Sequence, residues 1–437
     1  MWGGPSACGG LSGRLLQCSS CDLQAKAGPR APRRPGACPL FAQKFAPRGK
    51  YAALGVDARP TGFPPPNLSA LTTRYDCEIG KLGNAQGTIF VRWARAIMRC
   101  AWLINALLSL PAFAAAPSQA QVEQLIQAFG PVMKLHPTER YLMDDPEYIL
   151  NSGKTALQWG LVHHPDTYET FSIEGVRTAA IVSAAALPSV WQQAQHDPRA
   201  SWPDFRCWLH LPDSVISGNQ SRAKAFVSVL QGADGTYLDL QFWFFYAYNG
   251  PAKFHLTVGR VVDDHVRMST CGRHYGDWEH VTLRLVRARE TSGLPWRLQD
   301  VYLSRHAFSK WLGGISALRF SGRHPIVYVA RDSHAHYPSA GVQYYRRAAY
   351  KDFGIGSVAV DLEDWTGNGP AFDTSEPGHY RIISTNIQSW RLAPPAWYEY
   401  PAPWGQYEKL KFSYGLFYTY KEVGGGPRGP AFHGVDD

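Results

Sequence analysis

The chain has 437 residues, of which 45% are hydrophobic, and a formal net charge of +9. A chain of this length and composition can bury a sizeable core, which excludes fibrous and wholly disordered proteins. The charge is unevenly distributed: residues 1–114 contain 14 Lys or Arg and four acidic residues, which leaves 30 basic and 31 acidic residues in 115–437. The basic excess therefore gives no reason to expect nucleic acid as a partner of the larger part.

The first recognisable feature along the chain is a targeting signal at residues 98–116. Arginines precede the apolar run 101–110, and the small-residue segment 111–116 follows it. This order is typical of a secretory signal peptide, cleaved after Ala114 or Ala116. The apolar run has about 10 residues, whereas a membrane-spanning helix needs about 20. The alternative is a buried core helix, but we predict export, with the protein secreted or periplasmic.

The domain organisation follows from this signal. Because signal peptides act at an N-terminus, we expect translation to begin at or near Met98, with residues 1–97 an over-extended or disordered leader. The signal peptide 98–116 then precedes a single domain, 117–422, and the Gly/Pro-rich residues 423–437 form a flexible tail.

Cysteine usage changes its meaning in such a protein, because six of the eight cysteines precede the predicted cleavage site. Only Cys207 and Cys271 remain. In an oxidising compartment these two are a candidate disulfide. Two free thiols are the alternative, since the pairing depends on a distance that the sequence does not give.

The predicted elements begin with a short amphipathic helix. Ser118–Gln121 has a capping-box pattern, and apolar residues follow at helical spacing from Val122 to Phe129. A second, alanine-rich helix is predicted at about 177–195. From Ala225 onward the pattern is typical of strands, which we predict at 225–230, 237–248, 280–286, 298–304, 325–330, 357–361 and 380–384.

The order of these elements predicts a mostly β protein. No alternation of helices and strands appears, which favours an antiparallel β-sandwich with peripheral helices over a parallel α/β sheet. Trp390, Trp397 and Trp404 follow the last predicted strand among prolines. They indicate either aromatic packing in an irregular C-terminal wrap or an exposed patch that contacts a membrane or a glycan.

The most informative segment is 271–285, which we interpret as a loop entering a strand. Side chains alternate along a strand, so Asp277 and Glu279 face the same side as Val281 and Leu283. Ionised carboxylates on an apolar face cost several kcal/mol each unless they are paired. The two acids therefore need a cation.

Two sources of positive charge are available in this segment. His274 lies three residues before Asp277, and Gly276 can bend the backbone between them. The pattern His-x-x-Asp-x-Glu is then a three-ligand set for Mg²⁺, Ca²⁺ or Mn²⁺. The alternative is a salt-bridge cluster with Arg273 or Arg284.

Several histidines lie at the ends of predicted strands, namely His306, His334 and His336. As acids or bases they would suit a metal-dependent hydrolase in which the ion activates water. Ser333 lacks the Gly-x-Ser-x-Gly context of a nucleophile elbow, so a serine hydrolase is not indicated. The alternative for each histidine is a structural hydrogen bond.

Several motifs, in order, resemble the family called vacuolar protein sorting-associated protein 62. The resemblance covers about 131–405 and is carried by LHPTERY at 135–141, YAYNGP at 246–251, GDWEHVTLR at 276–284, YLSRH at 302–306 and HPIVYVA at 324–330. The same core is more distantly similar to the necrosis-inducing, Nep-like secreted cytolysins, which are β-sandwich proteins.

The second resemblance implies a metal site. In the cytolysins, the first His, the Asp and the Glu of a Gly-His-Arg-His-Asp-Trp-Glu heptapeptide hold a divalent cation where a sphingolipid sugar head group docks. Alignment on Asp-Trp-Glu puts His274, Asp277 and Glu279 on those ligands. Tyr275-Gly276 replace the middle Arg-His, and the upstream Asp of the family has no clear counterpart, which leaves Asp263 and Asp264 as candidates.

Two functions are compatible with these observations. The first is a non-enzymatic, toxin-like secreted protein that uses a divalent cation, Ca²⁺ or Mg²⁺, to bind a glycan or the head group of a membrane lipid. The second is a metal-dependent hydrolase of phosphoesters or glycosides. A domain in which Asp-Trp-Glu is only an ion-pair lock is a third, structural option.

Overall fold

The structure, a computed structural model, describes residues 116–288, 294–306, 308–352, 356–415 and 418–433. The predicted leader and all but the last residue of the predicted signal peptide lie outside the described residues. Within the described part of the chain, no helix has the length and apolar character needed to cross a membrane.

The described helices are few and short. They are α1 (Gln119–Phe129), α2 (Pro146–Leu150) and α3 (Leu187–Gln195), with 3₁₀ turns at Ala184–Ala186, Asp213–Val215, Gln388–Trp390 and Pro430–Phe432. The strands are β1 (Val132–Lys134), β2 (Met143–Asp144), β3 (Ala156–His163), β4 (Ser172–Ala180), β5 (Phe205–His210), β6 (Ala225–Gln231), β7 (Tyr237–Asn249), β8 (Lys253–Val258), β9 (Val262–Arg267), β10 (His274–Arg287), β11 (Trp296–Leu303), β12 (Lys310–Trp311), β13 (Arg319–Ser321), β14 (His324–Val329), β15 (His336–Tyr337), β16 (Gly341–Asp352), β17 (Ser357–Thr366), β18 (Ala371–Asp373), β19 (Tyr380–Thr385), β20 (Glu408–Tyr414) and β21 (Tyr418–Gly424).

A seven-stranded sheet forms the centre of the fold. Its order is β12-β11-β10-β7-β6-β19, with β2 added beside β7. Strand β7 is buried over almost its whole length because its residues are apolar on both faces. Such a strand is stable only when both faces of its sheet are covered.

The two faces of this sheet carry separate cores. On one face, residues such as Phe242 and Leu283 pack against Val327 of a five-stranded sheet, β13-β14-β1-β18 with β15 added beside β14, and helix α1 adds to this core. On the other face, Trp243 and Trp278 pack with the three-stranded sheet β4-β3-β5 and the C-terminal segment. The mostly β, sandwich-like fold is confirmed, with two parallel pairings, β1 with β14 and β6 with β19.

A third core lies beneath a four-stranded sheet of order β16-β17-β8-β9. Phe254 and Val360 of this sheet pack against Leu410 and Phe412 of the hairpin β20-β21. This arrangement positions the end of β17 and the C-terminal residues beside the central sheet, where the candidate site is found.

Three local expectations have clear outcomes. Helix α1 has the predicted capping box between Ser118 and Gln121. The predicted helix 177–195 is wrong in its first half: residues 177–180 belong to β4, which pairs with β3, Ala184–Ala186 form a 3₁₀ turn, and only Leu187–Gln195 is α-helical. The tryptophans of the C-terminal wrap have the packing role: Trp397 and Trp404 are fully buried.

The disulfide considered for Cys207 and Cys271 is not formed. Both are buried free thiols. Cys207 packs with the residues beneath β3 and β5, whereas Cys271 belongs to the core of the four-stranded sheet. Burial raises the pKa of Cys207 to about 12 and that of Cys271 to about 11. Both thiols are therefore protonated and unreactive at neutral pH.

Candidate functional site

A cavity of about 370 Å³ opens where β10, β17 and the C-terminal segment meet. We call it the site cavity. Its polar walls are formed by Asn249, His274, Asp277, Glu279, His280, Ser304, Arg305, His306, Ser309, Ser333, Asp364 and His433. The three residues predicted as metal ligands therefore line one cavity. Of the three alternative catalytic histidines, His306 lines it too.

Strand β10 positions the predicted ligands by way of Gly276. This residue has φ 62°, and a Cβ atom there would lie 2.1 Å from the carbonyl oxygen of Trp404. Only glycine fits this close approach without strain. The loop that the sequence predicted ends at Arg273, and the strand that it enters, β10, begins at His274. The Nδ1 of His274 contacts the Gly276 carbonyl oxygen at 2.8 Å.

Trp278 anchors the other side of the same strand. Its ring stacks on Trp397 at a centroid distance of 5.3 Å and meets Trp404 edge to face at 5.2 Å. Because side chains alternate, this anchoring turns Asp277 and Glu279 toward the opposite face, as the sequence predicted. The Asp-Trp-Glu order thus serves both packing and placement of two carboxylates.

Asp277 is held by a buried histidine from a distant loop. His334 Nδ1 lies 2.8 Å from Asp277 Oδ2, and His334 Nε2 lies 3.0 Å from the Tyr141 carbonyl oxygen. A carbonyl only accepts hydrogen bonds, so Nε2 carries a proton and donates it. The His334 ring also stacks on Tyr246 at 3.7 Å. His334 therefore orients Asp277 and is not free to act as an acid or base.

Glu279 is buried next to this pair. The Ser304 hydroxyl donates to Glu279 Oε2 and accepts from the His280 N–H at 2.9 Å. Burial, together with the charge of Asp277, raises the pKa of Glu279 well above its usual value. Two like charges that interact in a buried site favour the protonated form of one of them unless a cation is present.

The arginine alternative for these two acids is excluded by the geometry. Arg273 Nε lies 3.1 Å from Glu408 Oε2, and Arg284 forms a two-pronged pair with Asp239 at 2.9 and 2.7 Å. Neither arginine contacts Asp277 or Glu279. Each of the two acids keeps one carboxylate oxygen for which the described residues provide no hydrogen bond.

Asp364, at the end of β17, is the cavity residue that sequence reasoning missed. Its Oδ2 lies 2.8 Å from His306 Nε2, and the hydroxyls of Ser333 and Tyr337 also donate to this carboxylate. The acidic pair Glu363-Asp364, which continues the alternation of the predicted strand 357–361, is the signal that could have found it.

The proposed fourth-ligand candidates lie elsewhere. Asp263 pairs with His255 on the four-stranded sheet β16-β17-β8-β9, which we call the outer sheet. Asp264, on the same sheet, accepts a hydrogen bond from Tyr414 at 2.7 Å. Neither is part of the site cavity.

The remaining histidine, His336, is buried behind the cavity. Its Nδ1 lies 3.2 Å from the His280 carbonyl oxygen, and its Nε2 has no partner in the described residues. Burial lowers the pKa of His336 to about 4, so the ring is neutral at neutral pH. Of the alternative catalytic residues, only His306 lines the cavity.

The ion pair of His306 and Asp364 predicts a pH-dependent stability. Burial opposes ionisation of both groups, but their mutual attraction prevails: it raises the pKa of His306 and lowers that of Asp364 to about 2. The Asp364 contribution is present above its unfolded pKa of about 3.9 and is lost as the pH falls toward its folded value. The His306 contribution is present below about pH 6.5 and is lost as the pH rises through its raised folded pKa.

We therefore expect the pair to stabilise the fold most between about pH 4 and about pH 6.5, by about 2 kcal/mol. Urea unfolding of the wild type and of His306→Gln across this range checks the prediction. The difference in unfolding free energy should peak within the window and shrink on both sides. A difference that is constant with pH would contradict it.

The C-terminal residues close one side of the cavity. Trp404 donates its backbone N–H to the Pro427 carbonyl oxygen at 2.7 Å, and the His433 ring lies 5.8 Å from that of Trp243. Residues 423–433, for which the sequence predicted a flexible tail, thus have packed partners. Among the described residues, no three His, Cys, Asp or Glu side chains are close enough together to hold a metal ion.

Comparison with known proteins identifies relatives of the chain. The family model for vacuolar protein sorting-associated protein 62 matches residues 79–415. The chain is also 26% identical over 259 residues to the Saccharomyces cerevisiae protein TDA6, described as vacuolar protein sorting-associated. That alignment covers 52% of this chain and 48% of the yeast protein, so the chain spans about half the length of this relative.

Solved structures that are similar to this chain include those of necrosis-inducing proteins. Necrosis and ethylene inducing protein 2 from the causal agent of witches' broom disease of cocoa is 14% identical, with 60% of this chain and 73% of that chain covered and a TM-score of 0.23. NLPPya, solved in complex with mannosamine, is 12% identical, with 64% and 81% covered and a TM-score of 0.23. Similarity this low decides neither the fold nor a ligand.

Proposed function

The chain belongs to the family of vacuolar protein sorting-associated protein 62, and we propose a function for it from the site itself. The protein binds a divalent cation, Ca²⁺ or Mg²⁺, in the site cavity, and through that cation a glycan or the head group of a glycosylated lipid. This function is non-enzymatic and toxin-like. His274, Asp277 and Glu279 would hold the cation after moving closer together, because as placed they are not close enough to share one ion.

The observation that carries this proposal is the pair of buried carboxylates without a basic partner of adequate charge. Asp277 has one histidine, Glu279 has one hydroxyl, and each keeps an oxygen with no hydrogen bond from the described residues. A divalent cation would neutralise both acids, which offsets the burial and the repulsion by Asp277 that raise the pKa of Glu279.

The chemistry of the donors fits a hard cation. Carboxylate oxygens are the preferred ligands of Ca²⁺ and Mg²⁺, and both ions commonly keep water or ligand hydroxyls in their remaining positions. His274 Nδ1 lies against the Gly276 carbonyl oxygen, so coordination by this ring includes a rotation away from that contact. Saccharide hydroxyls would then complete the shell of the ion.

The cavity has dimensions and walls suited to a saccharide. Its volume of about 370 Å³ lies in the range of small-molecule sites. Tyr345 contributes an aromatic residue to the lining, next to polar residues such as Asn249 and Ser309. Aromatic faces with convergent polar groups are typical of sites for polar, ring-shaped ligands.

Vesicle binding tests this proposal. Wild-type protein is incubated with vesicles that contain a glycosylated lipid, with Ca²⁺ or Mg²⁺, with a chelator, and with the cation restored in excess. We expect binding with the cation, loss in the chelator and recovery afterwards. Vesicles without the sugar are the control. Binding that is unchanged by the chelator would overturn the proposed role of the cation.

Export belongs to the same proposal. It rests on the predicted signal peptide 98–116, and cleavage there would give a mature chain that begins at Ala115 or Pro117. N-terminal sequencing of material recovered outside the cell tests this point separately.

A second candidate function is favoured by the ion pair of His306 and Asp364. An imidazole oriented by a carboxylate at a cavity wall is the arrangement of a general base, here facing the carboxylates that would hold a metal ion. A metal-dependent hydrolase of phosphoesters or glycosides would lose turnover with His306→Ala. Absence of turnover on a panel of both substrate classes would favour the binding function.

A further inference from the structure

A second cavity, also of about 370 Å³, adjoins the site cavity. We call it the side pocket. It is lined by Arg305, Phe308, Ser309, Lys310, Tyr337, Gln343, Tyr344 and Tyr345. Arg305, Ser309 and Tyr345 also line the site cavity, so these three residues form a shared wall.

The two cavities have opposite charge. The site cavity contains the carboxylates of Asp277, Glu279 and Asp364, whereas the lining of the side pocket includes two cations and no acid. Within the described residues, no carboxylate lies within 4.0 Å of either Arg305 or Lys310. The positive charge of the side pocket is therefore not neutralised locally.

Of the two cations in the side pocket, Arg305 is held in place. Its Nε donates to the Phe308 carbonyl oxygen at 3.0 Å, and its guanidinium lies 5.5 Å from the centre of the Tyr337 ring. These contacts fix the planar group at the shared wall while most of its N–H donors stay available. Lys310 is exposed at the start of β12, where its ammonium group can reach an anion as a mobile point charge.

Neutral donors accompany the two cations. In the described residues, the hydroxyl of Tyr345 has no hydrogen-bond acceptor, and the Tyr345 ring packs against His306, whereas the Tyr344 ring packs against His255. The amide nitrogen of Gln343 lies 3.2 Å from the Ser339 carbonyl oxygen, which fixes the side chain of this residue. A fixed arginine, a lysine and the Tyr345 hydroxyl are donors that suit a tetrahedral oxyanion, because each of its oxygens accepts charge-assisted hydrogen bonds.

We propose that the side pocket binds a sulfate or phosphate ester, and that the ligand of this protein is an acidic saccharide whose sugar ring extends across the shared wall. The saccharide part of this proposal rests on the proposed function, whereas binding of the sulfate or phosphate group in the side pocket does not. The two cavities together accommodate a bipolar ligand: hydroxyls, with a cation, on the acidic side and the ester group on the basic side.

Calorimetric titration of the full chain tests this assignment at constant ionic strength. The probes are inorganic phosphate, inorganic sulfate, glucose, glucose 6-phosphate and glucose 6-sulfate, each with Ca²⁺ and with a chelator. We expect the inorganic anions to bind in both conditions. We expect the two sugar esters to bind at least about ten-fold more tightly than the anions alone when Ca²⁺ is present.

Substitutions separate the side pocket from the general charge of the surface. Lys310→Met keeps the apolar stem and removes the charge, and is expected to weaken binding of inorganic phosphate about five- to ten-fold. Arg323→Ala, at an exposed position outside both cavities, should leave it unchanged. Equal losses in the two variants, or no binding of either inorganic anion, would overturn the proposal.

The outcomes also separate this proposal from the proposed function. Anion binding that persists in the chelator, without extra affinity for the sugar esters, would support the side pocket and contradict the extended ligand. Binding of the esters from solution but not on vesicles carrying a phosphorylated glycolipid would identify a soluble source for the ligand. Vesicle binding that is lost in Lys310→Met would identify a lipid source.

Discussion

Replacement of Asp277 by asparagine is expected to lower the affinity of the protein for Ca²⁺ or Mg²⁺ by about 100-fold or more. The substitution removes one of two charged ligands but keeps the size of the side chain. The Asp277 carboxylate is oriented by His334 at 2.8 Å, and after its loss Glu279 would be the one charged ligand left in the proposed set. Mutation of a residue that only orients a metal ligand typically lowers metal affinity by about 10- to 100-fold. Mutation of the ligand itself is expected to lower it further.

Matched variants make this result interpretable. Glu279→Gln should have a similar effect, because it removes the second charge of the pair. Asp263→Asn is the control: Asp263 is 80% exposed on the outer sheet and lies outside the site cavity, so cation affinity should be unchanged. Calorimetric titration with each cation gives the affinities. Wild-type affinity in a folded Asp277→Asn variant would contradict the cation site.

The second large effect is expected from Asp332→Asn, which should lower the free energy of unfolding by about 3–5 kcal/mol. Lys253 and Asp332 are both fully buried, with Nζ and Oδ2 3.2 Å apart, and Arg267 Nε lies 3.0 Å from the same oxygen. Loss of the carboxylate leaves Lys253 charged, buried and without its counter-ion. An unpaired buried charge is among the most destabilising single changes known in proteins.

A surface ion pair provides the control for this experiment. Arg347 and Asp361 are joined at 2.7 Å on the outer sheet, and the arginine is more than half exposed. Asp361→Asn should cost less than about 1 kcal/mol, because solvent screens such pairs. Urea unfolding of both variants measures the contrast. A cost for Asp332→Asn as small as that of Asp361→Asn would show that the buried network does not stabilise the fold.

Asp332 also connects stability to the site. It precedes Ser333 and His334, and both Asp332 and His334 have positive φ values, 67° and 57°. Residues in this region cost about 1–3 kcal/mol each and persist only where the surroundings hold them. The buried ion pair is one such restraint, so Asp332→Asn should also weaken cation binding by releasing His334 from Asp277.

Much of the central sheet was predictable because the patterns that indicate its strands involve residues close together in the sequence. The run that became β7 is apolar at successive positions, and alternation along β10 correctly placed Asp277 and Glu279 on one face. The predicted helix 177–195 failed because pairing with β3 outweighed the helical preference of alanine for residues up to Ala180.

The partners of the site residues were not predictable in the same way. The contact between Asp277 and His334 joins residues 57 positions apart, and that between His306 and Asp364 joins residues 58 apart. Spacing within a motif carries no information about such contacts, which depend on how separate sheets meet. The fourth ligand was accordingly sought upstream, at Asp263 and Asp264, whereas the additional carboxylate that lines the site cavity, Asp364, comes from a later strand.

The long-range strand pairings determine when the site can form. Val132 of β1 pairs with Ile326, and Ala225 of β6 pairs with Tyr380, so these sheets connect the beginning of the described chain with its end. Closing such large loops is slow, because the entropy is lost before the contacts form. The walls of the site cavity come from residues between 249 and 433, so a chain that is still emerging has no binding site. Ligand binding therefore reports completed folding, and a folding experiment can use it as the last event to appear.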